Sequence, residues 1–181
     1  MRAIALLRGI NVGGNKIIPM AKLKAIFESA GFKNVVTFIQ SGNVLFDATA
    51  TDVEALRTKV EKMLVDALGY DVPAIIRSAN EMKKIVAKNP FADEHVEKKT
   101  KYYVMFLEKK PSHSEQQSVL ATQVKGMAFQ FGARELFCLL DAKFSGNDSP
   151  FSNVKLEKLL NQKGTTRNWA TTKTIAELVS K

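Results

Sequence analysis

Between Leu6 and Lys16 the chain reads LLRGINVGGNK: an apolar run, three glycines, an arginine and a lysine. Those residue types can recognise an anion. Consecutive glycines let backbone amides close around a phosphate, and arginine clamps phosphate or carboxylate with two parallel hydrogen bonds. Gly9 and Gly14 also have the spacing of the nucleotide-binding pattern G-x-x-x-x-G-K-[ST]. The match fails at its chemical positions, because Asn15 stands where the phosphate lysine belongs and Lys16 where the magnesium-binding hydroxyl belongs. No G-x-G-x-x-G occurs either, so neither nucleotide-binding motif is present and no cofactor is expected.

A looser anion site remains. A second polar turn, Gln40-Ser41-Gly42-Asn43, follows the strand-like NVVTF. If the two turns share one edge of a sheet, Arg8, Asn11, Gly13, Gly14 and Lys16 meet Gln40, Ser41 and Asn43. Arg8 and Lys16 supply charge, while Gln, Ser and Asn offer neutral donors and acceptors for a sugar, an amide or a base edge. Taken singly, each residue has a structural reading: glycine for positive φ, Ser-Gly-Asn for a tight turn, Asn11 for bonding the loop to itself. It is the cluster that reads as a ligand surface. The partners it suits are an anionic small molecule or a nucleic-acid backbone.

A second cluster is Arg167, Asn168 and Trp169. Here Arg167 and Asn168 suit anion and amide contacts, and the sole tryptophan suits either a stacking platform or an anchor for the last helix. Arg77, ending a strand, is a weaker candidate, expected at the opposite edge from Arg8. Other chemistries find little support. Cys138, the only cysteine, sits in ELFCLL, where a free thiol behaves as a small buried hydrophobe. His95 and His113 lie in charged or polar stretches without carboxylates at metal-binding spacing, so no metal site is expected. The first strand, AIALLR, has no aromatic residue and the third offers only Phe46, which argues against an RNA-stacking sheet.

The elements that must position these residues follow from periodicity. Ala3–Arg8 predicts a strand, and Pro19 the start of a helix whose inward face is Leu23, Ile26, Phe27 and Ala30, closed by Gly31. NVVTFIQ and VLFD around Ser-Gly-Asn predict a hairpin. Thr51 and Glu54 predict a capping box before a helix running to Gly69, and VPAIIR a fourth strand. The order β-α-β-β-α-β is ferredoxin-like. After a helix capped by Ser78 and Glu81, KYYVMFLE, a helix from Ser112, AFQF, ELFCLL and a helix from Val154 repeat it. This second copy is expected to end in a helix from about Thr172 instead of a last strand. The fold class expected is thus α+β: two ferredoxin-like halves, 1–88 and 89–181, antiparallel sheets with helices on one face.

Composition sets bounds. The 181 residues carry a formal charge of +9, with 13 Lys+Arg against 8 Asp+Glu before residue 91 and 14 against 10 after it. There is no basic tail, yet five basic residues precede the first acidic one, Glu28. The glycine-rich turn therefore lies in the most one-sided stretch of charge, which favours anionic partners. No apolar run approaches the roughly 18–20 residues of a membrane span, and the amino terminus lacks a secretory pattern. With a single cysteine, a cytoplasmic location is expected.

The stretch ALLRGINVGGNKIIPMAKLKAIFESAGFKNVVTFIQSGNVLF closely resembles the opening signature of domain-of-unknown-function family 1697. IIRSANEMKKIVAKNPF, GARELFCLL and TTRNWATTK match it too, so the resemblance covers nearly the whole chain. It implies a bacterial-type cytoplasmic protein related to a duplicated ferredoxin-like unit, with no assigned activity, substrate or catalytic residue. Its signature residues fall on Arg8, Gly9, Asn11, Gly13, Gly14, Gln40, Ser41, Gly42, Asn43, Arg167, Asn168 and Trp169. One departure is Ser149-Pro150-Phe151, where relatives carry Ser-Lys-Leu. The leading expectation is binding of a phosphorylated or nucleotide-like ligand, or of nucleic-acid backbone, at the Arg8 edge. The alternatives are an enzyme acting on a small anionic substrate there, with Ser41 or an unrecognised carboxylate in catalysis, and a protein-interaction module.

Overall fold

The computed structural model describes residues 1–12, 14, 16–49, 52–92, 100–144 and 152–181. Its first half runs β1 (Arg2–Leu7), α1 (Met20–Ser29), β2 (Lys33–Phe38), β3 (Asn43–Asp47), α2 (Val53–Leu68), β4 (Ala74–Ser78) and α3 (Ala79–Lys88). The second runs β5 (Lys101–Leu107), α4 (His113–Leu120), β6 (Met127–Phe131), β7 (Glu135–Leu140), α5 (Asn153–Leu160), β8 (Gly164–Asn168) and α6 (Trp169–Val179). Each half forms an antiparallel four-stranded sheet, ordered β2-β3-β1-β4 and β6-β7-β5-β8. The two orders are the same once β5 to β8 are matched to β1 to β4. This is the α+β, duplicated ferredoxin-like architecture. The chain divides into two compact units, residues 1–84 with Thr174–Lys181, and Ile85–Lys173.

Side-chain alternation sets the core of the first unit. Ala3, Ala5 and Leu7 of β1 share a cluster with Leu23 and Phe27 of α1 and Leu56, Val60 and Leu64 of α2. Alanines on the strand leave room for three phenylalanines, Phe27, Phe32 and Phe46, with ring centroids 4.5 to 5.7 Å apart. Tilted aromatic pairs of this kind add about 0.5–1.5 kcal/mol each beyond the area they bury. Phe46 is fully buried in this cluster, so it offers no platform for a base. In the second unit Met105, Leu107, Leu136, Cys138, Leu156 and Leu160 form the matching core.

Local chemistry fixes the ends. Gly69 closes α2 in the left-handed conformation, with its N–H on Val65 O at 2.8 Å. Ser78 and Glu81 exchange the expected capping bonds, as do Ser112 and Glu115. Two expectations need correction. Asp52, not Thr51, caps α2, its carboxylate accepting from Glu54 N at 2.9 Å; Thr51 lies outside the described residues. The second half also has its fourth strand: Gly164–Asn168 pairs antiparallel with β5, Leu107 opposite Gly164 and Tyr103 opposite Asn168. The polar run GTTRN conceals this strand because its inward groups satisfy one another. Arg167 Nη1 donates to Thr165 Oγ1 at 2.8 Å and to Thr166 O at 2.9 Å.

Candidate functional site: the β1–α1 edge

Three segments converge where β1 ends. Leu7 N–H donates to Gly42 O at 2.8 Å, joining the strand to the β2–β3 turn, and Arg8 N–H donates to Pro73 O at 2.9 Å, joining it to the α2–β4 connection. Asn11 ties the β1–α1 loop to that turn. Its Nδ2 donates to Gln40 O at 2.8 Å and to Ile18 O at 3.1 Å, and its Oδ1 accepts from Ile18 N at 2.7 Å. With its side-chain amide committed to backbone groups, Asn11 shapes the edge. Asn43, fully buried, does the same for the turn, donating to Phe38 O at 2.9 Å and Ser41 Oγ at 3.1 Å.

The cations come from the loop itself. Lys16 Nζ donates to Asp71 O at 2.6 Å and sits 5.0 Å from the centre of the Tyr70 ring. The Lys16 ammonium and the Arg8 backbone thus both touch the segment Asp71–Pro73. An ammonium has three N–H donors, so this contact holds Lys16 at the edge with donor capacity to spare. Arg8 is half-buried; Gly9, Gly14 and Gln40 are exposed, and Ser41 is half-exposed. Gly13 falls outside the described residues. Helix α1 begins beside this loop after Pro19, with no side-chain cap and no acidic residue in its first turn. Its free N–H groups and the positive end of its dipole therefore face the same region.

The backbone here is unusual. Gly9, Gly14 and Gly42 have φ near +71°, +76° and +80°, and three side-chain-bearing residues, Asn11, Lys16 and Ile39, have φ of 53°, 47° and 50°. Glycine is obligatory at 42. A Cβ there would lie 2.7 Å from Ile10 Cδ1 and 2.9 Å from Leu7 Cβ. Ile39 is the outlier, since a β-branched residue in this region carries a steric cost of about 1–2 kcal/mol. It is also exposed, as are Val12 and Ile17 on the same edge.

The second cluster is built differently. Arg167 is 7% exposed, and burial pulls its guanidinium down to about 10. Asn168 Oδ1 accepts from Thr171 N at 2.7 Å and so caps α6, which starts at Trp169 and not at the expected Thr172. Trp169 stacks on Tyr102 with centroids 4.5 Å apart and planes 15° from parallel. Tyr102 in turn donates to Asn89 Oδ1 at 3.1 Å, and burial holds its hydroxyl well above the ordinary phenol range. Trp169 anchors the helix on this stack. Arg77, at 0% exposure, is paired with Ile4, whereas Ala74 is paired with Leu7. It thus lies three residues, about 10 Å, along the strand from the Arg8 edge. Cys138 is buried and its thiol is pushed up by burial, the opposite of an activated nucleophile. Among the described residues no group of three or more His, Cys, Asp and Glu side chains is placed to hold a metal, and no helix is long and apolar enough to cross a membrane. His95 and the Ser149–Phe151 departure lie outside the described residues.

The partners of these groups were missed from sequence: Tyr70 and Asp71 under Lys16, Tyr102 under Trp169, and Ile39. The first two join residues more than 50 positions apart, with no local pattern to reveal them; Ile39 looked like strand because its side chain is β-branched.

The architecture defines a class, the duplicated ferredoxin-like α+β proteins. A conserved bacterial protein from Streptococcus pneumoniae has the same fold: TM-score 0.76 over 99% of this chain and 98% of that one, at 22% identity. The family model described as Protein of unknown function (DUF1697) matches residues 1–137, and the chain belongs to that family. No match was found among curated proteins.

Proposed function

We propose that the protein binds a phosphorylated or nucleotide-like ligand, or a nucleic-acid backbone, at the β1–α1 edge, in a cytoplasmic setting. One observation carries this reading. Arg8 and Lys16, both tied to the Asp71–Pro73 segment, and the exposed glycines Gly9 and Gly14 belong to the loop that leads into a helix amino terminus with neither side-chain cap nor acidic residue in its first turn. Free N–H groups, a helix dipole and two cations all favour negative charge at one place. Gln40 adds a neutral amide in reach of solvent. The exposure of Gly9, Gly14, Lys16 and Gln40 makes the edge an open surface, which suits phosphates lying across it.

A second reading draws on Val12, Ile17 and Ile39, exposed on that same edge. They favour a protein partner that combines apolar with acidic groups. The enzyme reading gains little: Ser41 Oγ accepts from Asn43 Nδ2, which fixes a turn and does not activate a nucleophile.

Binding of a fluorescent single-stranded oligonucleotide at low and moderate salt tests the proposal. Backbone recognition predicts affinity that falls steeply with salt and changes little with sequence. It also predicts a loss of about ten- to a hundredfold in Lys16→Ala, since a charge-assisted bond contributes roughly 1.5–3 kcal/mol. Binding that is indifferent to salt and to Lys16 would contradict it.

A further inference from the structure

Six large apolar side chains are exposed among the described residues, and three of them, Val12, Ile17 and Ile39, stand around one asparagine. Asn11 N donates to Lys16 O at 3.2 Å, its Oδ1 accepts from Ile18 N at 2.7 Å, and its Nδ2 donates to Gln40 O at 2.8 Å. Val12 follows Asn11, Ile17 lies between Lys16 and Ile18, and Ile39 precedes Gln40. The bonds therefore gather the three aliphatic residues where the β1–α1 loop meets the β2–β3 turn. Inward anchors fix the loop as well, since Ile10 and Ile18 are 1% and 2% exposed. Val12, Ile17 and Ile39, at 66%, 71% and 46%, project from that fixed frame.

Ile39 shows that this exposure is not incidental. Its φ of 50° is strained for a β-branched residue, and asparagine or glycine would relax it. With nearly half its surface in water, the isoleucine recovers little of that cost by packing. Strained residues held by their surroundings cluster at binding and switch regions. The same frame carries positive charge. Exposed Lys16 precedes Ile17, exposed Lys22 lies in the first turn of α1, and Arg8 follows β1. Asp71, exposed on the segment whose carbonyl holds Lys16, offsets part of that charge.

Granting the anion site proposed above, on which this rests, we propose that the edge docks the protein on an anionic membrane surface and that lipid headgroups carry the phosphate. Lys16 and Arg8 meet the headgroup phosphates. Val12, Ile17 and Ile39 enter the boundary between headgroups and acyl chains, the layer about 5–10 Å deep that apolar faces of surface-bound proteins reach. Side chains standing this far out are knobs, and a protein partner would have to supply a matching pocket for each. A bilayer takes them without one and offers its negative charge at the depth of the cations. Three aliphatic side chains and a few cations make the attachment reversible.

Co-sedimentation of the full chain with vesicles tests this, using phosphatidylcholine alone and a phosphatidylcholine–phosphatidylglycerol mixture, beside an oligonucleotide titration. The wild type should bind the mixed vesicles, and the neutral ones at least about tenfold more weakly. Ile39→Asn relaxes the backbone without changing the charge. It should therefore keep or raise its melting midpoint and bind the oligonucleotide as before, yet lose about tenfold in vesicle binding. Ile17→Ser, on an exposed side chain, should lose a similar factor, and Lys16→Ala about fivefold. Equal vesicle binding by the wild type and both isoleucine variants would reduce the contact to charge alone and overturn the proposal. Absence of vesicle binding would overturn it too. With the oligonucleotide still bound, the anion site then stands without a membrane; with neither bound, both readings fail.

Discussion

Asn11 shows how a polar residue in a candidate site can earn its place without touching a ligand. Its side chain makes three bonds to backbone groups of two segments, and its own φ of 53° is one that asparagine tolerates well. Asn11→Ala should cost about 1–3 kcal/mol in denaturant unfolding, because it removes three bonds to backbone groups, two of them part-buried, and places alanine at positive φ. Asn11→Asp keeps the acceptor for Ile18 N but loses both donors, and should fall between the two. Arg167 is comparable: its Nη1 is spent on Thr165 and Thr166, so Arg167→Ala should cost about 3 kcal/mol or more in stability. From sequence, the residue types and their grouping at the Arg8 edge were legible. Which amides were committed internally was not, because hydrogen-bond partners 29 positions apart leave no local pattern.

At the scale of elements, the β2–β3 turn concentrates the backbone constraint. Gly42→Ala combines an unfavourable φ with contacts under 3 Å to Ile10 and Leu7, and should destabilise by about 2–4 kcal/mol. Ile39→Asn should do the reverse, raising stability by up to about 1 kcal/mol as the left-handed strain is relieved. If that variant is more stable yet binds its partner less well, the exposed isoleucine serves recognition. Helix α4 carries a pH signature. The Ser112 backbone and hydroxyl bonds hold the Glu115 carboxyl below its ordinary range. Its folded value is depressed, so the cap's contribution is present above the unfolded value of about 4.3 and is lost as pH falls through the lower folded one. Ser112→Ala should return the Glu115 titration, followed by NMR, toward that unfolded value. The Ser78–Glu81 cap was legible as Ser-x-x-Glu spacing, whereas the same spacing at Thr51 and Glu54 pointed one residue before the true cap, Asp52. Strand β8 was not, because two threonines, an arginine and an asparagine read as loop until Arg167 and the Thr165 hydroxyl are seen to satisfy each other. Pairing with β5, not local hydrophobicity, makes GTTRN a strand.

Across the whole molecule, one architecture appears twice with different chemistry at corresponding places. Arg77 and Arg167 occupy the fourth position of β4 and β8, each donating to the carbonyl of the preceding residue. Glu61 and Glu157 brace the same junction, accepting from Ala74 N at 3.0 Å and from Gly164 N at 2.9 Å. Leu7 is opposite Ala74 and Leu107 opposite Gly164, so at the edge itself Arg8 in one half corresponds to Glu108 in the other. The frame is therefore set by residues the halves share, and the proposed recognition would rest on those they do not. Element order made the repeat visible, but the correspondence of Arg8 with Glu108 needed the strand registers. The two halves carry similar net charge, so it is the stretch before Glu28, with five basic residues and no acidic one, where the proposal expects anions to gather.

Thermal unfolding of the wild type and Arg8→Ala against nucleotides, sugar phosphates and short single strands tests the central claim most directly. A phosphate-bearing compound should raise the wild-type midpoint by several degrees, as ligand linkage requires at concentrations well above Kd. The Arg8→Ala midpoint should stay where it is without ligand, in a protein that still unfolds cooperatively. Equal shifts in both proteins, or none in either across the panel, would contradict an anion site at the Arg8 edge.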